Sequence, residues 1–383
     1  MSFYATRGSI PKKRHTKFSF GGKELLYEEL VSRQGFSGIY SNLYHLRMPT
    51  RVKKINNFIN ANLGGDTLVH KPLHIRTSEL KSDGDAISSR LAMLYNDDLI
   101  ISKAHFNTNM DYCYRNAHFD ELIYIQSGKG TLFTNFGVLD YIEGDYIVIP
   151  RGIIWYINCN LETHALVIES SGPIKSPKKY RNEFGQFIEG SPFCERDIKI
   201  PNYNDPIDLD QDTLVRVKYK DGMQDIIYAN HPFDVVGWDG YYYPWTFNIN
   251  NFEPIVGSIH QPPSVHQTFE GNNFVICSFV SRLFDFHKDA IPSPYPHSNV
   301  DSDEFIFYSE GSFMSRSGVK EESITYHPMG IPHGPQPGKY EDSIGKKETE
   351  ELAVMIDTFK PLYLTNEALK ISEKKYHLSW IKK

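Results

Sequence analysis

The sequence predicts a mainly β protein: a double β-barrel or sandwich in two successive units, with an N-terminal arm and short helices. Three observations carry this. Short runs rich in Ile, Val, Thr, Phe and Tyr alternate with Gly-, Asp- and Pro-containing turns along most of the chain. Aromatics reach 14%, with 24 Tyr and 24 Phe against 8 Met, a balance that favours strands. One residue pattern also occurs twice, so the same β unit is expected twice. At 383 residues the chain has room for two domains. The expected division is an arm over 1–65, a first β unit over 66–200 and a second over 201–383.

Taken in order, the arm carries a basic patch at Lys12, Lys13 and Arg14, read as a solvated arm or subunit contact. Strands or arm segments are expected over 23–27 and 38–44. Residues 51–65 fit a short helix or a strand. From Leu68 to Ile200 strand runs dominate: 99–106, 122–126, 130–137, 146–150 and 164–169, separated by turns at Gly128, Gly144 and Gly152. Residues 174–212, rich in Pro, Lys and Asp, read as a surface connection. Strand signals resume at Thr213 and run to about Phe359. Near the C-terminus, Thr365 is an N-cap residue before helix formers, so a short helix is expected there.

Composition narrows the function classes. The formal charge of −6 argues against nucleic acid or an acidic membrane as partner. Cys113, Cys159, Cys194 and Cys277 form no CxxC pair and no disulfide framework, and a reducing compartment, the cytoplasm, is expected. The first residues lack the apolar segment of a secretory signal. No run approaches the ~18 apolar residues that span a bilayer.

The repeated pattern carries the chemistry. The second copy reads His297-x-Asn299-x4-Glu304-x6-Gly311, followed by Pro328-x-Gly330-x2-His333. The first reads Tyr114-x-Asn116-x4-Glu121-x6-Gly128, followed by Pro150-x-Gly152-x2-Trp155. His297, Glu304 and His333 supply two imidazoles and one carboxylate, the set that holds a non-haem Fe(II) on one face and leaves other positions open. At the matching positions Tyr114 and Trp155 cannot replace two imidazoles, since indole is only a donor and neutral phenol a poor ligand. The metal is therefore expected in the C-terminal unit only.

This layout resembles the cupin superfamily, so a bicupin-like fold is implied. Asn299 stands where that family has a further histidine, which leaves three protein ligands. The likeness goes further. Phe3-Tyr-Ala-Thr-Arg-Gly, the segment from Gly35 to Arg47, His231-Pro-Phe-Asp-Val-Val-Gly-Trp-Asp-Gly, Ser264-Val-His-Gln-Thr-Phe-Glu and His327-Pro-Met-Gly-Ile-Pro-His-Gly-Pro resemble the homogentisate 1,2-dioxygenase family, in its shorter microbial branch.

The resemblance implies an Fe(II) enzyme of tyrosine and phenylalanine catabolism. Such an enzyme opens the ring of homogentisate with O2 to give maleylacetoacetate. It places His297, Glu304 and His333 on iron, and His260 near the substrate hydroxyl, where a neutral imidazole suits a base at neutral pH. Tyr295 and His333 are expected at the substrate, and His327 beside a ligand or the substrate. Phe313 falls where the family has a second substrate-contacting tyrosine. His266 and His287 are read as structural or loop residues. Lys339 and Tyr340 follow the second motif and have no assigned role. A trimer or hexamer is implied by the family. Another cupin dioxygenase, acting on a relative such as gentisate, and a non-enzymatic ligand-binding cupin are the alternatives.

Overall fold

A computed structural model describes residues 3–80, 83–311 and 313–381. Three large sheets are stacked as layers. The middle one has nine strands. At its centre Leu99–Phe106, Thr163–Ser170, Asp120–Ser127 and Asp145–Ile149 run antiparallel, all on predicted strand runs. These strands alternate in which face they present. Ile123, Ile125, Ile147, Ile149 and Val167 pack with Tyr114, Leu132, Trp155 and Ile157 of an eight-stranded sheet on one side. Leu122, Tyr124, Val148, Leu166 and Ile168 pack with Phe305, Phe307, Ile324, Val354 and Ile356 of a six-stranded sheet on the other. Both faces of the middle layer are buried, which is why its strands read as continuous apolar runs.

The six-stranded sheet runs in the order Gln267–Gly271, Phe274–Phe279, Leu352–Thr358, Asp303–Glu310, Ser323–His327, Leu73–Arg76. Side chains alternate across it. Phe305 and Phe307 point to the middle layer, while Glu304, Ile306 and Tyr308 face an open cavity on the far side.

Pairing crosses both expected boundaries. Leu73–Arg76 leaves the N-terminal unit and pairs with Ser323–His327. Thr213–Tyr219 and Trp245–Asn248, placed by sequence in the second unit, pair instead with Cys113–Asn116 and Asp145–Ile149 of the first. The arm is not solvated throughout: Ala5–Gly8 and Tyr40–His45 both pair with Val235–Gly240. Within 51–65, two short strands form, Val52–Ile55 and Ile59–Asn60. The stretch 174–212 is not purely a surface connection, because Tyr180, Phe187 and Phe193 are buried in the main core. Aromatic side chains of this size contribute about 1.5–3 kcal/mol each when taken out of water. The terminal helix is one short turn, Asn366–Lys370, with Thr365 accepting from the Ala368 amide.

The repeat is visible in three dimensions. Tyr114 and Trp155 are register partners in one half, and His297 and His333 form a bridge in the other. Gly128 and Gly311 both have positive φ, +102° and +98°, and a Cβ on either would sit 2.5 Å and 2.3 Å from a carbonyl oxygen. Only glycine fits this turn, and the strand carrying the motif glutamate ends at it.

Candidate functional site

The metal-ligand candidates converge. His297 and His333 exchange backbone hydrogen bonds in both directions at 2.9 Å, which brings their rings to 4.4 Å between centroids. Glu304 lies on the adjacent strand, facing the cavity. One ligand atom from each of His297, Glu304 and His333 lies within 4.8 Å of the others. Both imidazoles are oriented through their far nitrogen: Nδ1 of His297 donates to the Tyr295 carbonyl at 3.3 Å, and Nδ1 of His333 to that of Ile331 at 3.2 Å. Such bonds fix the tautomer that offers Nε2 to a metal. Nε2 of His333 is buried without a hydrogen-bond partner, 3.4 Å from Glu304 Oε2. Burial opposes charge on Glu304, but the hydrogen bond with His327 and the neighbouring His333 imidazole outweigh it and hold the carboxyl well below its usual range. A charged carboxylate beside two oriented imidazoles is the donor set of a divalent metal site.

His327, expected beside a ligand or the substrate, does not line the cavity and so is not at the substrate; it packs against the ligand candidates. Strand register sets it opposite Glu304. Its Nδ1 is 2.8 Å from Glu304 Oε1, its ring stacks on His333 at 4.8 Å, and Trp380 closes the far edge. Burial pushes its pKa down to about 4, so the neutral ring donates one hydrogen bond that orients Glu304.

The cavity above these residues has a volume of about 440 Å³, in the range of small-ligand sites. Ile306, Phe313, Met314 and Met355 supply apolar wall, and Tyr295 and His260 lie on its rim. The two rings meet edge to face at 5.1 Å, and Nδ1 of His260 is 3.5 Å from Asp285. His266, read as structural, also lines the cavity, and burial holds its pKa down to about 3. His287 is an exposed loop residue whose Nδ1 accepts from the Asp289 amide. Lys339 and Tyr340 sit on a turn and do not line the cavity.

Sequence reading missed Asp357 and Arg316. Asp357 is the register partner of Glu304, faces the same cavity, and carries a buried oxygen without a partner. Burial and then the charge of Glu304 push its carboxyl up to about 7. The repeat held the signal: Glu169 stands in the same register to Glu121.

The degenerate copy is filled by protein cations. Arg90 Nη1 binds Glu121 Oε1 at 2.6 Å and lies over the rings of Tyr114 and Trp155. Lys218 pairs with Glu169 at 2.5 Å. The C-terminal copy has the two acids, Glu304 and Asp357, but neither pairs with Lys or Arg among the described residues. A divalent cation fits this donor set in charge and in chemistry. A third cluster, His105, His164 and Glu322, also brings ligand-type atoms within 4.8 Å. There the Lys103 ammonium already lies 3.5 Å from Glu322 Oε2, and the group acts as an ionic seam between sheets.

Comparison with known proteins adds the family. The model of the homogentisate 1,2-dioxygenase N-terminal region matches residues 44–249. The chain belongs to the homogentisate 1,2-dioxygenase family. That match ends just past the strand Trp245–Asn248. A candidate dioxygenase of Saccharolobus solfataricus is 42% identical over 387 residues, 99% of each chain. Human homogentisate 1,2-dioxygenase is 27% identical over 321 residues, 74% of this chain and 67% of that enzyme. The enzyme of Bradyrhizobium diazoefficiens is 27% identical over 282 residues, 69% of this chain, and the match spans 61% of that enzyme's length. Among solved structures, a cupin 2 conserved barrel domain protein from Leptotrichia buccalis aligns with 78% of this chain and 100% of its own, at 12% identity and a TM-score of 0.36. No helix among the described residues is long and apolar enough to cross a membrane.

Proposed function

We propose that the protein is an Fe(II)-dependent ring-cleaving dioxygenase that converts homogentisate and O2 to maleylacetoacetate, with both oxygen atoms entering the product. The observation that carries this is the convergence of His297, Glu304 and His333 at the floor of a cavity sized for one aromatic ring. Family membership supplies the reaction class.

His297, Glu304 and His333 would hold the iron through their Nε2 and carboxylate atoms. Fe(II) bound there would acidify a coordinated phenol and supply the redox chemistry for O2. The chain's own residues do the rest. His260, on the rim, takes the proton from the substrate hydroxyl, a step that a phenol with pKa ~10 requires at neutral pH. Tyr295 packs against His260 and bounds the ring's entry. Ile306, Phe313 and Met355 keep water from the reacting ring. His327 holds Glu304 in place from behind.

The test is oxygen uptake and product absorbance with Fe(II)-loaded protein. One O2 consumed per homogentisate, with the absorbance of a ring-opened product, supports the reading. Uptake with gentisate but none with homogentisate overturns it.

A further inference from the structure

Among the described residues, no carboxylate forms an ion pair with one cation in the cavity. Arg316 is only 7% exposed and lines the cavity wall. Its Nη1 donates to the Gly334 carbonyl at 2.9 Å and to that of Ser315 at 3.3 Å. Its Nε is buried with no hydrogen-bond partner, and the Tyr308 hydroxyl is the neutral polar group nearest the guanidinium on the cavity side. Among the described residues no carboxylate pairs with it: Glu304 bonds His327 at 2.8 Å, Glu351 pairs with Arg282 at 3.2 Å, and Asp357, in the same cavity, forms no ion pair. The other buried guanidinium facing a motif glutamate, Arg90, has its ion pair. Burying an unpaired guanidinium is costly, so one is retained where something completes it.

The surroundings fix Arg316 and point to what completes it. Gly334 follows His333, so the guanidinium is anchored one residue from a metal-ligand candidate. Trp380 donates its indole N–H to the same Gly334 carbonyl at 3.1 Å, and its ring lies 5.9 Å from the guanidinium carbon. Rotamer freedom is therefore already spent. Three residues earlier on the same loop, Phe313 presents a ring without a hydroxyl. A planar fork of N–H donors that meets two carbonyls and a phenol but pairs with no carboxylate among the described residues matches a carboxylate ligand.

We infer that Arg316 binds the carboxylate of an aromatic acid in this cavity and is the residue that selects acids over neutral phenols. The inference rests on the proposed function for the placement of the ring, but the anion contact itself needs no turnover.

The test is calorimetric binding to the Fe(II)-loaded protein without oxygen, using homogentisate and the neutral methylhydroquinone. The wild type should prefer the acid. Arg316→Gln should weaken homogentisate about tenfold to a hundredfold and leave methylhydroquinone within about twofold. Arg316→Lys, which keeps the charge but not the fork, should fall between. Iron content and circular dichroism report folding of each variant. If Arg316→Gln does not fold, Arg316→Lys decides: a loss confined to the acid supports the inference, and equal change for both ligands overturns it. A wild type that binds both probes equally also overturns it. A wild type that binds the acid through Arg316 yet shows no ring cleavage would sink the proposed reaction and leave this contact standing.

Discussion

Arg90 and Glu121 form in the N-terminal half an ion pair that has no Lys or Arg counterpart at Glu304 among the described residues. The guanidinium sits 2.6 Å from the carboxylate and over the Tyr114 and Trp155 rings, where the other copy has two imidazoles. The same frame has thus been completed in two ways: by a protein cation in one half, and in the other by a set of donors suited to a metal. Replacing Arg90 by Met should leave the Glu121 carboxyl buried without its ion partner. Breaking a buried pair in this way costs about 3–5 kcal/mol. Urea denaturation should show a loss of that order, while metal content per chain stays at the wild-type value. Loss of metal together with stability would mean that the two halves are not independent in this respect.

Glu304→Gln and His333→Ala should each remove the metal. The first replaces a charged donor by a neutral amide, and the second leaves only two of the three ligands. Elemental analysis of the purified variants should fall from about one metal per chain to near zero, with unchanged circular dichroism. Retention of a full equivalent by His333→Ala would refute the ligand set.

Much of this was legible locally. Strands such as Leu99–Phe106 and Thr163–Ser170 are buried along nearly their whole length, and the motif residues sit at fixed offsets from glycines that only a tight turn explains. The division at residue 200 was not legible. Which sheet Thr213–Tyr219 joins depends on pairing with Cys113–Asn116, about a hundred residues away, and no local signal specifies that partner. Asp357 was recoverable from the repeat through Glu169, because register with the motif glutamate is common to both. Arg316 was not. Its significance lies in the absence of an ion-pair partner among the described residues, which is a property of the packed loop rather than of the sequence around it.

His327 separates ligand from support. Because it touches Glu304 and His333 but not the cavity, His327→Gln should keep the metal and weaken it. Outer partners of metal ligands change affinity by roughly 10–100-fold when removed. Competition with a chelator of known affinity measures this directly. Complete loss of metal would make His327 a ligand, and no change would make it packing only.

The N-terminal sheet carries a pH-dependent contribution of its own. His45, on the strand Tyr40–His45, is buried between Asp234, 2.7 Å from Nδ1, and Glu29, 3.0 Å from Nε2. Burial alone would depress its pKa, but the two carboxylates outweigh this and raise it to about 9. The folded-state value lies above the unfolded value of ~6.5. The charged form therefore stabilises the fold fully below pH ~6.5, and that contribution is lost as pH rises through about 9. Glu29 works in the opposite direction. Burial would raise its pKa, the bond to His45 outweighs that and lowers it, and its contribution is lost only in acid. His45→Gln should thus be less stable than wild type by about 3 kcal/mol near pH 6, since each tenfold gain in proton affinity on folding is worth ~1.4 kcal/mol. The gap should narrow between pH ~7 and pH ~9.5. Urea denaturation of both proteins at several pH values tests this. A gap that stays constant across the range would show that His45 stabilises through packing and not through its charge.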